Sequence, residues 1–140
     1  MTRLFFACTL LVTLLMGCSQ KEDEVNPFAA LEKFPAPIVK VDAPTNAAVG
    51  VVTPIEVYFV VNSGCGYFGS FEVEGSGTEQ IIKVYAKYRN TICTQDLPTR
   101  QQTFEFKPTV KGTYTLQFYY QPDEYITKTI VVGDVATIGQ

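Results

Sequence analysis

The sequence predicts an all-β protein in which two sheets pack face to face. Apolar and polar residues alternate along most of the chain after residue 38, and this period of two is typical of half-buried strands. Turns marked by glycine or proline separate the alternating segments at intervals of about 10 to 14 residues. Such short strands hide their apolar faces only by closing into a barrel or packing as a sandwich.

About seven antiparallel strands are predicted, with no convincing helix and no internal repeat. The clearest strand is the alternation from Ile55 to Val61, which follows a shorter strand from Ile38 to Val41. Further strands are predicted over residues 65–74, 82–88, 104–106, 114–118 and 125–132. In the last of these both faces are half apolar, so the alternation does not indicate which face is buried.

The stretch from residue 65 to 74 contains two glycines, Gly66 and Gly69. Glycine inside a strand indicates a bulge or a bend. Alternation places Cys65, Tyr67, Phe71 and Val73 on one face of this stretch and Phe68, Ser70, Glu72 and Glu74 on the other.

One run favours a sandwich over a barrel: Phe106-x-Pro108-x-x-x-Gly112-x-Tyr114-x-Leu116-x-Phe118. It resembles the corner before the penultimate strand of immunoglobulin-like domains, in which a tyrosine hydroxyl bonds back to the upstream backbone. The resemblance implies this role for Tyr114 and an immunoglobulin-like β-sandwich. The chain contains no tryptophan, and Cys65 and Cys93 are closer in sequence than the bridge of antibody domains requires. We therefore expect an immunoglobulin-like fold that is not an antibody-type domain.

The N-terminus combines Arg3 with an apolar run of about 13 residues that ends at Leu15-Met16-Gly17-Cys18. Such a run is too short to cross a bilayer, which takes ~20 residues, and has the length of a signal-peptide core. With the cysteine that follows it, the pattern resembles the lipobox of bacterial lipoproteins. This resemblance implies that residues 1–17 are removed and that Cys18 carries the lipid that attaches the protein to the membrane. We expect residues 18–35 to be a flexible tether and residues 36–140 to be the sandwich domain.

The residues after Cys18 bear on localisation. Ser19 replaces the aspartate that favours retention in the inner membrane, so the resemblance implies the outer membrane. The triplet Lys21-Glu22-Asp23 resembles the acidic export signal of surface lipoproteins from the Bacteroidota. We therefore expect a lipid-anchored outer-membrane protein, with display on the cell exterior favoured over a position facing the periplasm.

The cysteines predict one disulfide. Cys8 leaves with the leader and Cys18 carries lipid, so Cys65 and Cys93 remain as a pair in an oxidising compartment. Zinc is a weak alternative because structural sites use four ligands and this chain has no histidine. We expect no metal and no cofactor.

Charge argues against nucleic acid as a partner. Removing Arg3 from the 11 Lys and Arg residues leaves 10 against 14 Asp and Glu, a formal charge of −4. Nucleic-acid binding requires clustered basic residues, and the sequence contains no such cluster. Catalysis is not expected either, because the usual general base, histidine, is missing. Glu72 and Glu74 lie ~7 Å apart on one strand face, and an acid pair of this kind is normally solvated charge.

The remaining class is binding. Tyr58, Tyr85, Tyr119 and Tyr125 are candidates for outward positions, where they would contact a ligand or form cross-strand pairs within the sheet. We expect a binding domain for a glycan or a protein, with its site on the loops around Cys65 and Cys93. The proposed ligand-binding residues are Tyr67, Phe68, Tyr85 and Asp96. The alternatives are a structural accessory subunit that pairs through an open sheet edge, and an inhibitor of secreted proteases.

Overall fold

Two β-sheets pack face to face in the computed structural model, which describes residues 27–134. The expected leader, the lipidated Cys18, the first part of the tether and residues 135–140 lie outside the described residues. The strands, numbered β1 to β9, are Pro35–Ala36, Ile38–Asp42, Asn46–Ala48, Thr53–Val60, Gly66–Ser76, Glu79–Tyr88, Thr99–Phe106, Gly112–Gln121 and Glu124–Gly133. Within residues 27–134 the only helical segment is one 3-10 turn, Leu31–Lys33, and no helix is long and apolar enough to cross a membrane.

The larger sheet has the order β5-β6-β8-β9-β3, with the short β1 also paired to β6. The smaller sheet has the order β2-β4-β7 and covers only part of the larger one. The predicted all-β sandwich is thereby confirmed. Two strand pairs, β6 with β8 and β3 with β9, are parallel rather than antiparallel. The sequence also missed β1 and β3, because strands of two and three residues are too short to show alternation.

The core lies between the inner faces of the two sheets. Each long strand contributes alternate residues to it, as the period of two predicts. The residues with no exposed surface include Ile55, Val57, Phe59, Ile82, Val84, Leu116, Phe118 and Ile130. Burying a side chain of this size contributes about 1.5 to 3 kcal/mol before the entropic cost of ordering it. In the last strand, where alternation did not indicate the buried face, Ile130 and Val132 face the core.

A tyrosine corner precedes β8, as the sequence predicts. The hydroxyl of Tyr114 donates a hydrogen bond to the carbonyl oxygen of Val110, 3.2 Å away, and accepts one from the Val110 amide at 3.3 Å. The tyrosine ring is 1% exposed and packs edge-on against Phe106, with 5.1 Å between ring centroids. The residue therefore keeps a polar partner although it belongs to the core.

The bulge expected in β5 occurs at Gly69, where the register with β6 shifts between Phe68 and Ser70. A bulge inserts one extra residue and reverses which face the preceding side chains occupy. The expected grouping of faces is therefore wrong across Gly69: Phe68 and Phe71 both pack against the core, whereas Tyr67 is 42% exposed.

The described end of the expected tether is docked on the sandwich. The ring of Phe28 stacks on Tyr88 at 5.1 Å, and Leu31 packs against the core. A carboxylate oxygen of Glu32 accepts a 3.0 Å hydrogen bond from the Tyr88 amide. Pro35 pairs with Tyr85 as part of β1. Residues 28–35 are therefore part of the folded unit, contrary to their expected place in the tether. The reason is that the apolar side chains of Phe28 and Leu31 pack against the sandwich.

Candidate functional site

A disulfide joins two loops at one end of the sandwich. Residues 61–65 connect β4 to β5 and residues 89–98 connect β6 to β7, and the Cys65–Cys93 bond links them with 5.4 Å between the Cα atoms. We call this region the disulfide end. Two backbone hydrogen bonds accompany the bond: Gly64 donates to the Thr94 carbonyl at 3.0 Å, and Arg89 donates to the Cys65 carbonyl at 3.3 Å. The two loops are thus held against each other by covalent and polar contacts.

The close approach of the loops requires glycine. A Cβ atom at Gly64 would collide with Oγ1 of Thr94, and one at Gly66 would lie 2.5 Å from Cβ of Val61. Real Cβ atoms do not approach other atoms so closely, so a larger residue at either position requires its neighbours to move. Gly64 thus permits the close contact between the two loops, and Gly66 permits the packing of Val61 and Tyr88 at the start of β5.

Arg100 is a residue of the candidate site that the sequence did not single out. It lies on β7, and its guanidinium donates from Nε to the Gly66 carbonyl and from Nη2 to the Gly64 carbonyl, both at 3.0 Å. The planar fork of arginine suits two nearby acceptors in this way. An arginine at the start of a polar strand carries no local signal of this role, because its acceptors are more than 30 residues earlier in the chain.

An aromatic ring and two cations meet at the disulfide end. The guanidinium of Arg89 lies 5.8 Å from the centre of the Tyr67 ring, within the range of a cation–π contact. A depression of about 320 Å³ is lined here by Gly64, Cys65, Gly66, Tyr67, Arg89 and Arg100. Its surface offers one aromatic face together with positive charge, although the chain as a whole is acidic.

A second depression, of about 500 Å³, adjoins the same pair of loops. It is lined by Phe28, Asn62, Ser63, Cys93, Thr94 and Gln95. The carboxylate of Asp96 accepts a 2.5 Å hydrogen bond from the Thr94 hydroxyl and lies beside Gly64. The hydroxyl of Ser63 is buried and has no hydrogen-bond partner among the described residues. The lining of the second depression thus combines the ring of Phe28 with polar side chains of the two loops.

The structure separates the four predicted ligand-binding residues. Tyr67 and Asp96 lie at the disulfide end, as expected. The ring of Phe68 packs against Phe59 and Phe71, at 6.2 and 4.8 Å between centroids, and so belongs to the core and its margin. Tyr85 lies on the outer face of the larger sheet, in a depression of about 260 Å³ lined also by Glu32, Gly69, Ser70, Glu72, Ala86 and Lys87.

The three other outward tyrosines form contacts within the sheets. Tyr119 and Tyr125 are opposite each other on β8 and β9, with their rings 6.3 Å apart and edge to face. The ammonium of Lys40 lies 4.5 Å from the ring centre of Tyr58. These contacts favour the cross-strand role for these residues over a role in ligand binding.

Glu72 and Glu74 do not form an isolated acid pair. Nζ of Lys83 on the adjacent strand lies 2.5 Å from a carboxylate oxygen of Glu74. Its hydrogen bond is the main cause that lowers the pKa of Glu74 below its ordinary value, with the attraction of the Lys83 charge adding to it. A carboxyl group held ionised in this way is poorly suited to act as a general acid. Among residues 27–134 no group of three or more His, Cys, Asp or Glu side chains is placed to hold a metal ion.

Two packed sheets with a cross-linked loop end define a β-sandwich domain. The family model described as the ORF11 beta-sandwich domain matches residues 55–132, from β4 to β9. This match covers more than half of the chain, and the chain belongs to the ORF11 beta-sandwich domain family. The matched region includes strands of both sheets, both loops of the disulfide end, and Tyr114. Neither a curated protein nor a solved structure matches the sequence.

Proposed function

We propose that this chain is a lipid-anchored lipoprotein of the bacterial outer membrane whose sandwich domain binds a glycan or a protein without catalysis. The observation that carries the binding part is the disulfide end, where a covalent bond joins two loops, and Arg100 holds the first of them, beside two depressions. Loops that are already ordered lose less conformational entropy when they engage a ligand. This gain in affinity is available only if the ligand contacts these loops.

The side chains at the disulfide end fit a polar ligand with a flat apolar face. The exposed ring of Tyr67 offers a stacking surface, and Arg89, Asp96 and Gln95 offer hydrogen bonds of both kinds. Sugar rings and the loops of protein partners both have this mixed character. The exclusion of catalysis is supported by the lack of histidine throughout the sequence.

The anchor and the proposed site lie close together along the chain. Phe28 lines the second depression beside Cys93, so the described chain begins at the disulfide end. From Cys18 to Pro27 an extended chain spans at most ~30 Å. If Cys18 carries lipid, this length brings the disulfide end within reach of the membrane. A component of the outer membrane, either a glycolipid or a membrane protein, is then the ligand most readily reached.

The anchor is tested on the native protein. We expect the mature chain to begin at Cys18 and to carry acyl groups, which mass spectrometry of the intact protein measures. We expect Cys18→Ala to release the protein from the membrane fraction, whereas Cys8→Ala should leave it attached. An unmodified N-terminus at another residue would refute the lipoprotein part and leave the binding part open to its own test.

The binding site is tested on a glycan array and on isolated outer membranes. We expect Tyr67→Ala and Asp96→Ala to weaken binding by about tenfold or more, the effect of losing one well-placed contact. The control for Tyr67 is Tyr125→Ala, which removes a ring of similar exposure, 37% against 42%. Asp134→Ala, at an exposed carboxylate paired with Lys111, is the control for Asp96. Equal binding by all four variants would place the site elsewhere.

A further inference from the structure

One side of the sandwich has two unpaired strand edges. Among the described residues β5 pairs only with β6, and β7 pairs only with β4. The free edges of β5 and β7 face each other across a groove of about 390 Å³, lined by Phe68, Phe71, Gln102, Thr103, Phe104 and Glu105. We call this region the open side. A free edge presents backbone N–H and C=O groups to which another strand can bind.

The floor of the groove is an extension of the core. The ring of Phe71 lies 4.8 Å from that of Phe68 and 5.2 Å from that of Phe104, and Phe104 in turn contacts the buried Phe118 at 6.3 Å. Val73 continues the same face of β5 and is 45% exposed, because the smaller sheet does not extend over it. Covering apolar surface that adjoins the core in this way lowers the free energy, because the surface is removed from water.

The groove is closed at one end and open at the other. The Arg100 side chain crosses from β7 to the Gly64 and Gly66 carbonyls and closes the end next to the disulfide. The bulge at Gly69 interrupts the edge there. Beyond the bulge, residues 70–76 pair with β6 one to one and contain no proline. Gly75 has a positive φ of 89° and begins the turn into β6. Residues 70–74 therefore have the regular spacing that an added strand needs.

The charges around the edge of β5 disfavour two possible binding partners from this same protein, namely a second copy of β5 and the acidic N-terminal residues. Pairing two copies of β5 in antiparallel fashion about Val73 would place Glu72 opposite Glu74, and like charges in direct opposition are destabilising. The N-terminal residues 22–24, Glu-Asp-Glu, would meet the same repulsion. On the outer face Glu72 and Glu74 have a single basic neighbour, Lys83, which forms an ion pair with Glu74. Glu105 in the groove wall has no ion pair among the described residues.

We propose that the free edge of β5 over residues 70–74 receives an extended segment of another protein, in which apolar side chains alternate with Lys or Arg. The added strand lays its apolar side chains on Phe71, Val73 and Phe104 and directs its basic side chains toward Glu72 and Glu74. Backbone hydrogen bonds supply affinity, and the alternation of side chains supplies specificity. This site is separate from the disulfide end and does not depend on the function proposed above.

The test uses the purified full chain and a synthetic peptide of about nine residues in which valine alternates with lysine. We expect binding in a fluorescence titration, together with slower amide hydrogen exchange at residues 70–74. A matched peptide with glutamate in place of lysine should not bind. We expect Glu72→Lys to weaken binding of the lysine peptide by about tenfold or more and to permit binding of the glutamate peptide.

The control is Glu124→Lys, which makes the same charge change at an exposed position on β9. It should leave the affinity for the lysine peptide unchanged. Val73→Asp provides a second variant, which should weaken binding of the lysine peptide because it places a charge where the peptide's apolar face lies. No binding at millimolar peptide, equal binding by Glu72→Lys and Glu124→Lys, or protection of amides outside β5 and the facing edge of β7 would each overturn the proposal.

Discussion

The hydroxyl of Tyr114 forms hydrogen bonds with both backbone groups of Val110: it donates to the carbonyl oxygen and accepts from the amide. The ring is buried against Phe106, so the hydroxyl has no access to bulk water as an alternative partner. The turn from β7 to β8 is therefore fixed from inside the core. This contact spans only four residues, yet it determines where β8 enters the larger sheet.

We expect Tyr114→Phe to lower the free energy of unfolding by about 1 to 2 kcal/mol, because the Val110 groups lose their partner while the ring remains. For a domain of this size the melting temperature should fall by about 4 to 10 °C. Tyr120→Phe, at an exposed position of β8, is the control and should change neither quantity. Thermal and urea unfolding measure both variants, and equal stabilities would contradict the corner.

The Cys65–Cys93 bond should contribute about 3 to 4 kcal/mol, because it closes a loop of 28 residues in the unfolded chain. We expect the double variant Cys65→Ser, Cys93→Ser to fold with a correspondingly lower denaturation midpoint. Peptide mapping without reductant should recover the two cysteines in one linked fragment. Two free thiols in protein taken from an oxidising compartment would show that the bond does not form.

Arg100 should stabilise the disulfide end through its two hydrogen bonds to backbone carbonyls. We expect Arg100→Gln to cost about 1 to 2 kcal/mol, with the loss reduced by the partial exposure of the side chain to water. Arg100→Lys should recover only part of it, because an ammonium lacks the planar fork. Hydrogen exchange of residues 62–66 should become faster in Arg100→Gln, whereas the exchange of β8 should not change. Unchanged exchange in these loop residues would show that the two bonds do not hold them.

The Glu74–Lys83 pair should make stability depend on pH. The pKa of Glu74 is lowered in the folded protein, so its contribution is present above the ordinary glutamate pKa and is lost as the pH falls through the lowered value. We expect Glu74→Gln to be less stable than the unmodified chain near neutral pH, and the difference to decrease as the pH falls below the ordinary glutamate pKa and through the lowered pKa of Glu74. The difference should be small, because the pair is exposed, and should shrink with added salt.

Glu124→Gln removes an exposed carboxyl group from β9 and is the control. Urea midpoints of both variants, measured from neutral to acidic pH, show whether the charge of Glu74 causes the pH dependence of stability. A difference between Glu74→Gln and the unmodified chain that does not decrease at all as the pH is lowered would mean that the carboxylate charge is not its cause.

The class of fold and most strands were predictable from the sequence because strand formation here depends on local alternation. The alternation from Ile55 to Val61 predicts the buried face of β4 residue by residue. The corner at Tyr114 was also predictable, since its proline, glycine and tyrosine lie within a few residues of their partner. The pairing of the only two cysteines left after the expected processing followed from their number.

Strand neighbours and side-chain convergence were decided only by the tertiary structure. Nothing local in β6 indicates that it lies parallel to β8, because that pairing depends on how both sheets cover a common core. Arg100 gained its role from carbonyls more than 30 residues away.

The bulge at Gly69 was indicated by its glycine, but which side chains it turned inward was not. A shift of one residue exchanges the two faces of a strand, and only packing against the opposite sheet decides between the alternatives. Packing placed Phe68 inside and left Tyr67 beside Arg89 at the surface.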